Sequence, residues 1–111
     1  HVDDVAFHQD SERMFPQNPA VQLAFKDNPA GAETAAFRNG SLQGAYFIVA
    51  ARAVGLDCGP MSGFDNTMVD EAFFAETMFR SNFLCNIGYG DASKTFKRLP
   101  RLDFDVACQV L

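Results

Sequence analysis

The chain contains no tryptophan and only two histidines, His1 and His8. These lie seven apart in a polar leader with no HxxxH or CxxC spacing nearby, which excludes a recognisable metal motif. The cysteines number three, Cys58, Cys85 and Cys108, an odd count at wide spacing that excludes a disulfide framework. Each is flanked by apolar or small residues, so each reads as a reduced, buried thiol, and a reducing cytosol follows. Basic residues are scarce: nine Lys and Arg stand against fourteen Asp and Glu, a net charge of −5. That balance excludes a general nucleic-acid binder, which needs a basic surface for phosphate contacts. No apolar run approaches about 18 residues without a charge, so none reads as a membrane span, and no secretory leader pattern is visible. Ser–His–Asp, Cys–His and paired-carboxylate arrangements are missing too. Asp3-Asp4 and Asp70-Glu71 are adjacent in sequence and point different ways.

What is present is an ordinary globular mixture, 48% hydrophobic and 21% charged, in 111 residues. It bounds the chain at one domain, with twelve phenylalanines as core or interface filler. Residues 1–17 show no clear period beyond one helical turn near Ser11–Met14. Asn18-Pro19 and Asn28-Pro29 each set a favoured N-cap before a proline at the first helical position. They predict a short helix from Ala20 to about Lys26 and a long one from about Ala30 through Val54. Between Leu42 and Val54 only Gln43 and Arg52 interrupt the apolar run among the large side chains, so the long helix reads as buried on most sides. At 1.5 Å per residue it is about 35 Å long, and Gly55 closes it as a C′ residue followed by Leu56. A 111-residue chain has little other material to cover such a helix, so a second copy or further sequence is expected to supply the cover.

Gly55-Leu56-Asp57-Cys58-Gly59-Pro60-Met61-Ser62-Gly63-Phe64 reads as a rigid turn with little side-chain bulk. Two readings stand: a plain helix–loop connection, or a surface where a flat, polar-edged ligand such as a flavin lies against backbone N–H groups. It is neither the dinucleotide fingerprint nor a P-loop. Val69, Phe73 and Phe74 then recur at helical spacing, predicting a helix to about Thr77. Asn82 to Gly90 reads as an apolar strand, interior to a sheet whose other strands come from elsewhere. Asp91 to Arg101 is a polar loop holding Lys94, Lys97, Arg98 and Arg101. It is either a solvated loop or an anion clamp, since guanidinium forks suit phosphate. Asp103 to Leu111 reads as a helical turn or an extended tail.

The run Thr34-Ala35-Ala36-Phe37-Arg38-Asn39-Gly40-Ser41-Leu42-Gln43, the segment Gly55 to Asp65, Asn82 to Asp91, and Arg98-Leu99-Pro100-Arg101-Leu102 together resemble the nitroreductase family. Within it they are similar to the malonic semialdehyde reductase branch of pyrimidine utilisation. The resemblance spans residues 33–111. It implies an α+β fold, a sheet packed between helices in an interlocked homodimer, with flavin mononucleotide (FMN) at the dimer interface. It places Pro60, Met61, Ser62 and Gly63 along the isoalloxazine edge and Arg98 and Arg101 on the flavin phosphate. It assigns no catalytic side chain and gives Cys58 no role. The implied activity is reduction of a small electrophile by NADH or NADPH, with a 3-oxo acid such as malonic semialdehyde as acceptor (3-hydroxypropionate dehydrogenase type), or alternatively a quinone or nitro compound. The family's N-terminal half, which also grips the flavin, has no counterpart in these residues. Residues 1–111 are therefore expected to be the C-terminal portion of a single nitroreductase-like domain in a cytoplasmic flavoprotein. The rival reading is a non-catalytic helical interaction module, with no flavin at all.

Overall fold

The computed structural model describes residues 11–18 and 20–111. The predicted turn at Ser11–Met14 is a short helix, α1. Helix α2 covers Val21–Lys26 and α3 covers Pro29–Ala53. Strand β1 is Asp57–Met61, α4 is Asn66–Phe74, β2 is Leu84–Gly88 and α5 is Phe104–Ala107. Helices with a small antiparallel sheet make this an α+β chain.

The start of α3 follows the sequence signal. Asn28 is the N-cap, its Oδ1 accepting from the Gly31 N–H at 3.0 Å, and Pro29 opens the first turn, where a missing N–H costs nothing. The short helix expected from Ala20 to about Lys26 is present as α2, but the Asn18 side chain does not cap it. Its N-cap is Ala20, with no side-chain cap, while Asn18 contributes its carbonyl to a preceding turn by accepting from Val21 N–H at 3.2 Å. Pro19 lies outside the described residues.

The C-terminus of α3 is closed by two bonds. Leu56 N–H donates to the Ala51 carbonyl and Gly55 N–H to the Arg52 carbonyl, the 6→1 and 5→2 pair of a Schellman motif. Gly55 has φ +89°, a left-handed conformation that residues with a Cβ adopt only at a cost. The chain thereby reverses onto α3 and enters β1.

The expectation of an orphan strand is corrected. The segment from Asp57 to Met61, read as part of a turn, is itself a strand and pairs antiparallel with β2, Asp57 opposite Gly88 through Met61 opposite Leu84. Glycine and proline density hid it. Pro60 is tolerated because proline fits edge strands, and in a two-stranded ribbon each strand is an edge. Among the described residues β2 has one neighbour, β1. Helix α4 starts earlier than predicted because Asp65 caps it, accepting from Met68 N–H at 3.1 Å. The last segment combines both expected forms, one helical turn followed by an extended tail.

The expected burial of α3 does not occur within the chain. Among the described residues only Ala36 and Ala51 form a buried apolar core. The solvent-accessible surface is 9420 Å², where a compact monomer of this mass exposes about 6,000 Å². Polar clamps hold the elements instead. Asn82 Nδ2 donates to the Phe37 carbonyl at 3.2 Å and to Ser41 Oγ at 3.0 Å, tying the approach to β2 onto α3. Ser81 N–H donates to Asp70 Oδ1 at 2.7 Å, and Asn66 Nδ2 donates to the Ser81 carbonyl at 2.8 Å, tying that same approach to α4. No helix among the described residues is long and apolar enough to cross a membrane.

Candidate functional site

The segment Pro60-Met61-Ser62-Gly63 is held at its base by an ionic staple. Arg52, in the last turn of α3, pairs with Asp57 at the start of β1 and also donates to the Leu56 carbonyl at 3.0 Å. The other carboxylate oxygen of Asp57 accepts from Gly90 N–H at 2.7 Å. One side chain therefore joins the end of α3, the start of β1 and the residues just after β2. The Gly90 hydrogen bond, and then Arg52, hold the Asp57 carboxyl below its ordinary value, because both stabilise the charged form.

Along β1 the ladder places Pro60 opposite Cys85 and Met61 opposite Leu84. A proline has no N–H, so Pro60 cannot donate across the ladder to Cys85. Beyond Met61 the ladder ends. Among the described residues no hydrogen bond takes the backbone N–H of Ser62 or Gly63. A Cβ added at Gly63 meets nothing within 4 Å, and its φ lies outside the left-handed region. Neither packing within the chain nor backbone conformation requires glycine there. An exposed strand end with two open donors among the described residues and no side chain at Gly63 fits a planar ligand that presents acceptor atoms along one edge. Asp65 then caps α4, so the open stretch is suspended between two anchored points.

The second predicted element, the basic loop, is exposed throughout. Arg101 Nη1 donates to the Leu99 carbonyl at 2.9 Å, within its own loop. Arg98 forms no ion pair among the described residues, and no hydrogen bond or ion pair joins the loop to residues 60–63. The four ring-edge candidates are thus contiguous on one strand end, and the two arginines stand on a separate loop. No cluster of metal-ligating side chains occurs among the described residues; His1 and His8 lie outside them. All three cysteines are unbridged, but the expected burial is corrected: Cys58 and Cys85 are half-buried and Cys108 is exposed.

Sequence reasoning missed the residues that position this segment. Asp57 gave no signal, because its partners Arg52 and Gly90 are brought to it by the Schellman turn and by the ladder. Asn82 gave none either, since its acceptors lie 45 and 41 positions earlier. Gly44 did carry one: a glycine inside a long helix costs stability unless something approaches closely. The Phe83 ring does so, and a Cβ on Gly44 would lie 2.4 Å from it.

The fold and the strand-end site define an α+β chain with a candidate surface for a planar, acceptor-edged ligand. Comparison with known proteins narrows that class. The chain is 59% identical over 107 residues to a Ralstonia pickettii protein provisionally named NADH dehydrogenase/NAD(P)H nitroreductase HadB, covering 95% of this chain and 55% of that protein. Proteins given the same provisional description in Cupriavidus pinatubonensis and Burkholderia lata are 55% and 61% identical, over 96% and 92% of this chain and 56% and 52% of theirs. These identities support the nitroreductase family for the chain. It spans about half the length of the curated relatives it matches. No family model matches it.

Proposed function

We propose that this chain is the C-terminal portion of an FMN-dependent, NAD(P)H-using oxidoreductase that acts on a small electrophile as a cytoplasmic homodimer. The observation that carries the reading is the open strand end, where the N–H groups of Ser62 and Gly63 have no partner among the described residues and a Cβ at Gly63 meets nothing within 4 Å. Relatives whose names state NAD(P)H nitroreductase give it its chemical direction.

When bound, FMN supplies the two-electron transfer chemistry between nicotinamide and acceptor. The protein's part is positional and electrostatic. The N–H groups of Ser62 and Gly63 would hold the acceptor edge of the ring, and donors so placed favour negative charge at that edge. Pro60 and Met61 present a rigid apolar strand end against the ring, and the Arg52–Asp57–Gly90 staple keeps that end in place. Arg98 and Arg101 hold the phosphate through charge-assisted hydrogen bonds. A second copy, or the rest of the protein, covers the apolar outer face of α3 and completes the pocket. The acceptor class we favour is a 3-oxo acid such as malonic semialdehyde; quinones and nitro compounds are the alternatives within the same chemistry.

The deciding experiment measures flavin content of the intact protein and of its Gly63→Val variant by visible absorbance, with circular dichroism as fold control. A Cβ added at Gly63 meets nothing within 4 Å, and circular dichroism shows whether the variant keeps the fold. Flavin in the parent protein and its loss from a folded variant support the reading. Unchanged flavin content in the variant defeats the ring-edge assignment, and an intact protein that takes up no FMN defeats the function, leaving the interaction-module reading.

A further inference from the structure

The β1–β2 register brings two thiols together that the proposed reaction does not use. Cys58 lies opposite Ile87, and Cys85 lies opposite Pro60. Opposed residues and residues two apart share a face of a ladder, so Cys58, Pro60, Cys85 and Ile87 line one face. The two cysteines are diagonal neighbours on it. Both are half-buried and unbridged. Burial first, and then the nearby Cys85 sulfur, push the Cys58 thiol up from its ordinary value, while the Cys85 thiol donates to the Asn86 carbonyl at 3.6 Å.

Diagonal positions on an antiparallel pair stand about 7–8 Å apart at Cα, with the Cβ atoms somewhat closer. Disulfides span up to about 6.8 Å at Cα. Closing the bond draws the strands together slightly, which a two-stranded ribbon allows because it is only marginally stable by itself. A bond closed under strain is also more readily reduced. That combination suits a reversible bridge better than a permanent structural one.

We propose that Cys58 and Cys85 form a hydroperoxide-sensitive thiol pair whose reversible disulfide clamps β1 to β2 beside Pro60. One thiol of the pair, as its thiolate, attacks one oxygen of a hydroperoxide; the O–O bond breaks, the alcohol or water departs, and that cysteine becomes a sulfenic acid. The other sulfur of the pair then attacks the oxidised one, the S–O bond breaks, and water leaves. Two thiols and one hydroperoxide give one disulfide, one alcohol (water, for hydrogen peroxide) and one water. The sulfurs lose two electrons, the peroxide gains them, and the thiol protons end in the released alcohol and water. A cellular thiol such as glutathione reverses the bridge by exchange. The consequence for the strand-end site rests on the flavin reading; the bridge itself does not.

The test treats the intact protein with hydrogen peroxide, alkylates the remaining thiols and maps unreduced peptides by mass spectrometry. Cys108, exposed on the C-terminal tail, serves as the internal comparison. The expected result is a Cys58–Cys85 linked peptide lighter by two hydrogens, absent before treatment, removed by glutathione, and missing from Cys58→Ser and Cys85→Ser. In the reduced protein with Cys108→Ser, the thiol-bridging dye dibromobimane should fluoresce, and peroxide should abolish that signal. Separately alkylated or separately over-oxidised Cys58 and Cys85, in a sample where Cys108 is oxidised, overturn the proposal. If a serine variant fails to fold, the wild-type peptide map decides alone. Flavin content read on the same sample keeps the two ideas apart: a bridge in a flavin-free protein leaves the thiol pair standing and defeats the flavin reading.

Discussion

Gly44 offers a quantitative test of how β2 is seated on α3. Replacing glycine by alanine in a helix interior ordinarily stabilises by about 1 kcal/mol. Here the new Cβ would stand 2.4 Å from both Cε1 and Cζ of Phe83, far inside van der Waals contact. The ring cannot simply swing clear with its backbone, because Asn82 beside it is tied to the Phe37 carbonyl and Ser41 Oγ. Overpacking of this kind costs about 1–3 kcal/mol. Against the helical gain, the net for Gly44→Ala is a destabilisation of about 1 kcal/mol. In a Phe83→Ala background the obstruction is gone, and the same substitution should stabilise by about 1 kcal/mol. The coupling is therefore about 2 kcal/mol, well above the additivity error of distant sites. Urea unfolding of the four proteins, followed by far-ultraviolet circular dichroism, measures it. Equal stabilisation by Gly44→Ala in both backgrounds would refute the contact and with it the seating of β2.

Three further outcomes follow from the same geometry. Asp57 is held below its ordinary carboxyl value by Gly90 N–H and Arg52, so its contribution is complete above the ordinary carboxylate range and disappears as pH falls through the lowered value. Asp57→Asn should therefore be less stable at neutral pH, with the gap to wild type narrowing on acidification in a pH series of unfolding midpoints; a constant gap would contradict the staple. Arg98→Ala and Arg101→Ala should each weaken FMN binding about ten- to a hundred-fold, the loss expected for hydrogen bonds to a charged group, with the fold intact by circular dichroism; unchanged binding removes the loop from the site. If a second copy covers α3, the thermal midpoint should rise with protein concentration, and a concentration-independent midpoint points to cover from the same chain.

What the sequence made legible was local. Asn28-Pro29 fixed the start of α3 and Gly55-Leu56 its end, because capping chemistry is written in neighbouring residues. Strand β2 was legible from its apolar run. Strand β1 was not, because Gly59 and Pro60 are poor strand formers and only the facing strand, more than twenty residues later, explains them. The site showed the same division. Pro60 to Gly63 could be picked out as a string, whereas the staple that aims it depends on Arg52 and Gly90, which the fold brings to Asp57. Asn18 misled because the capping preference is one of several uses for an asparagine, and its carbonyl was taken for a turn instead.

The two faces of α3 show where the driving force for this fold resides. Ala36, Gly44 and Ala51 share one face by helical spacing, and that face meets the chain's own elements: the two alanines are its only buried apolar residues among those described, and Gly44 receives Phe83. On the opposite face Leu42, Tyr46 and Val49 follow i, i+4, i+7 spacing, with 57%, 78% and 66% of their surfaces exposed. A self-contained domain turns its large side chains inward and its small ones out. Here the order is reversed. Burying a large apolar side chain is worth about 1.5–3 kcal/mol and a single methylene about 0.8 kcal/mol, so the inward face gains little and most of the available stabilisation lies on the outward one. The polar clamps through Asn82, Ser81 and Asp57 set the geometry of the strand-end site without supplying that stabilisation. The site and the outer face of α3 are then energetically linked: whatever covers Leu42, Tyr46 and Val49 also holds the scaffold from which residues 60–63 are presented.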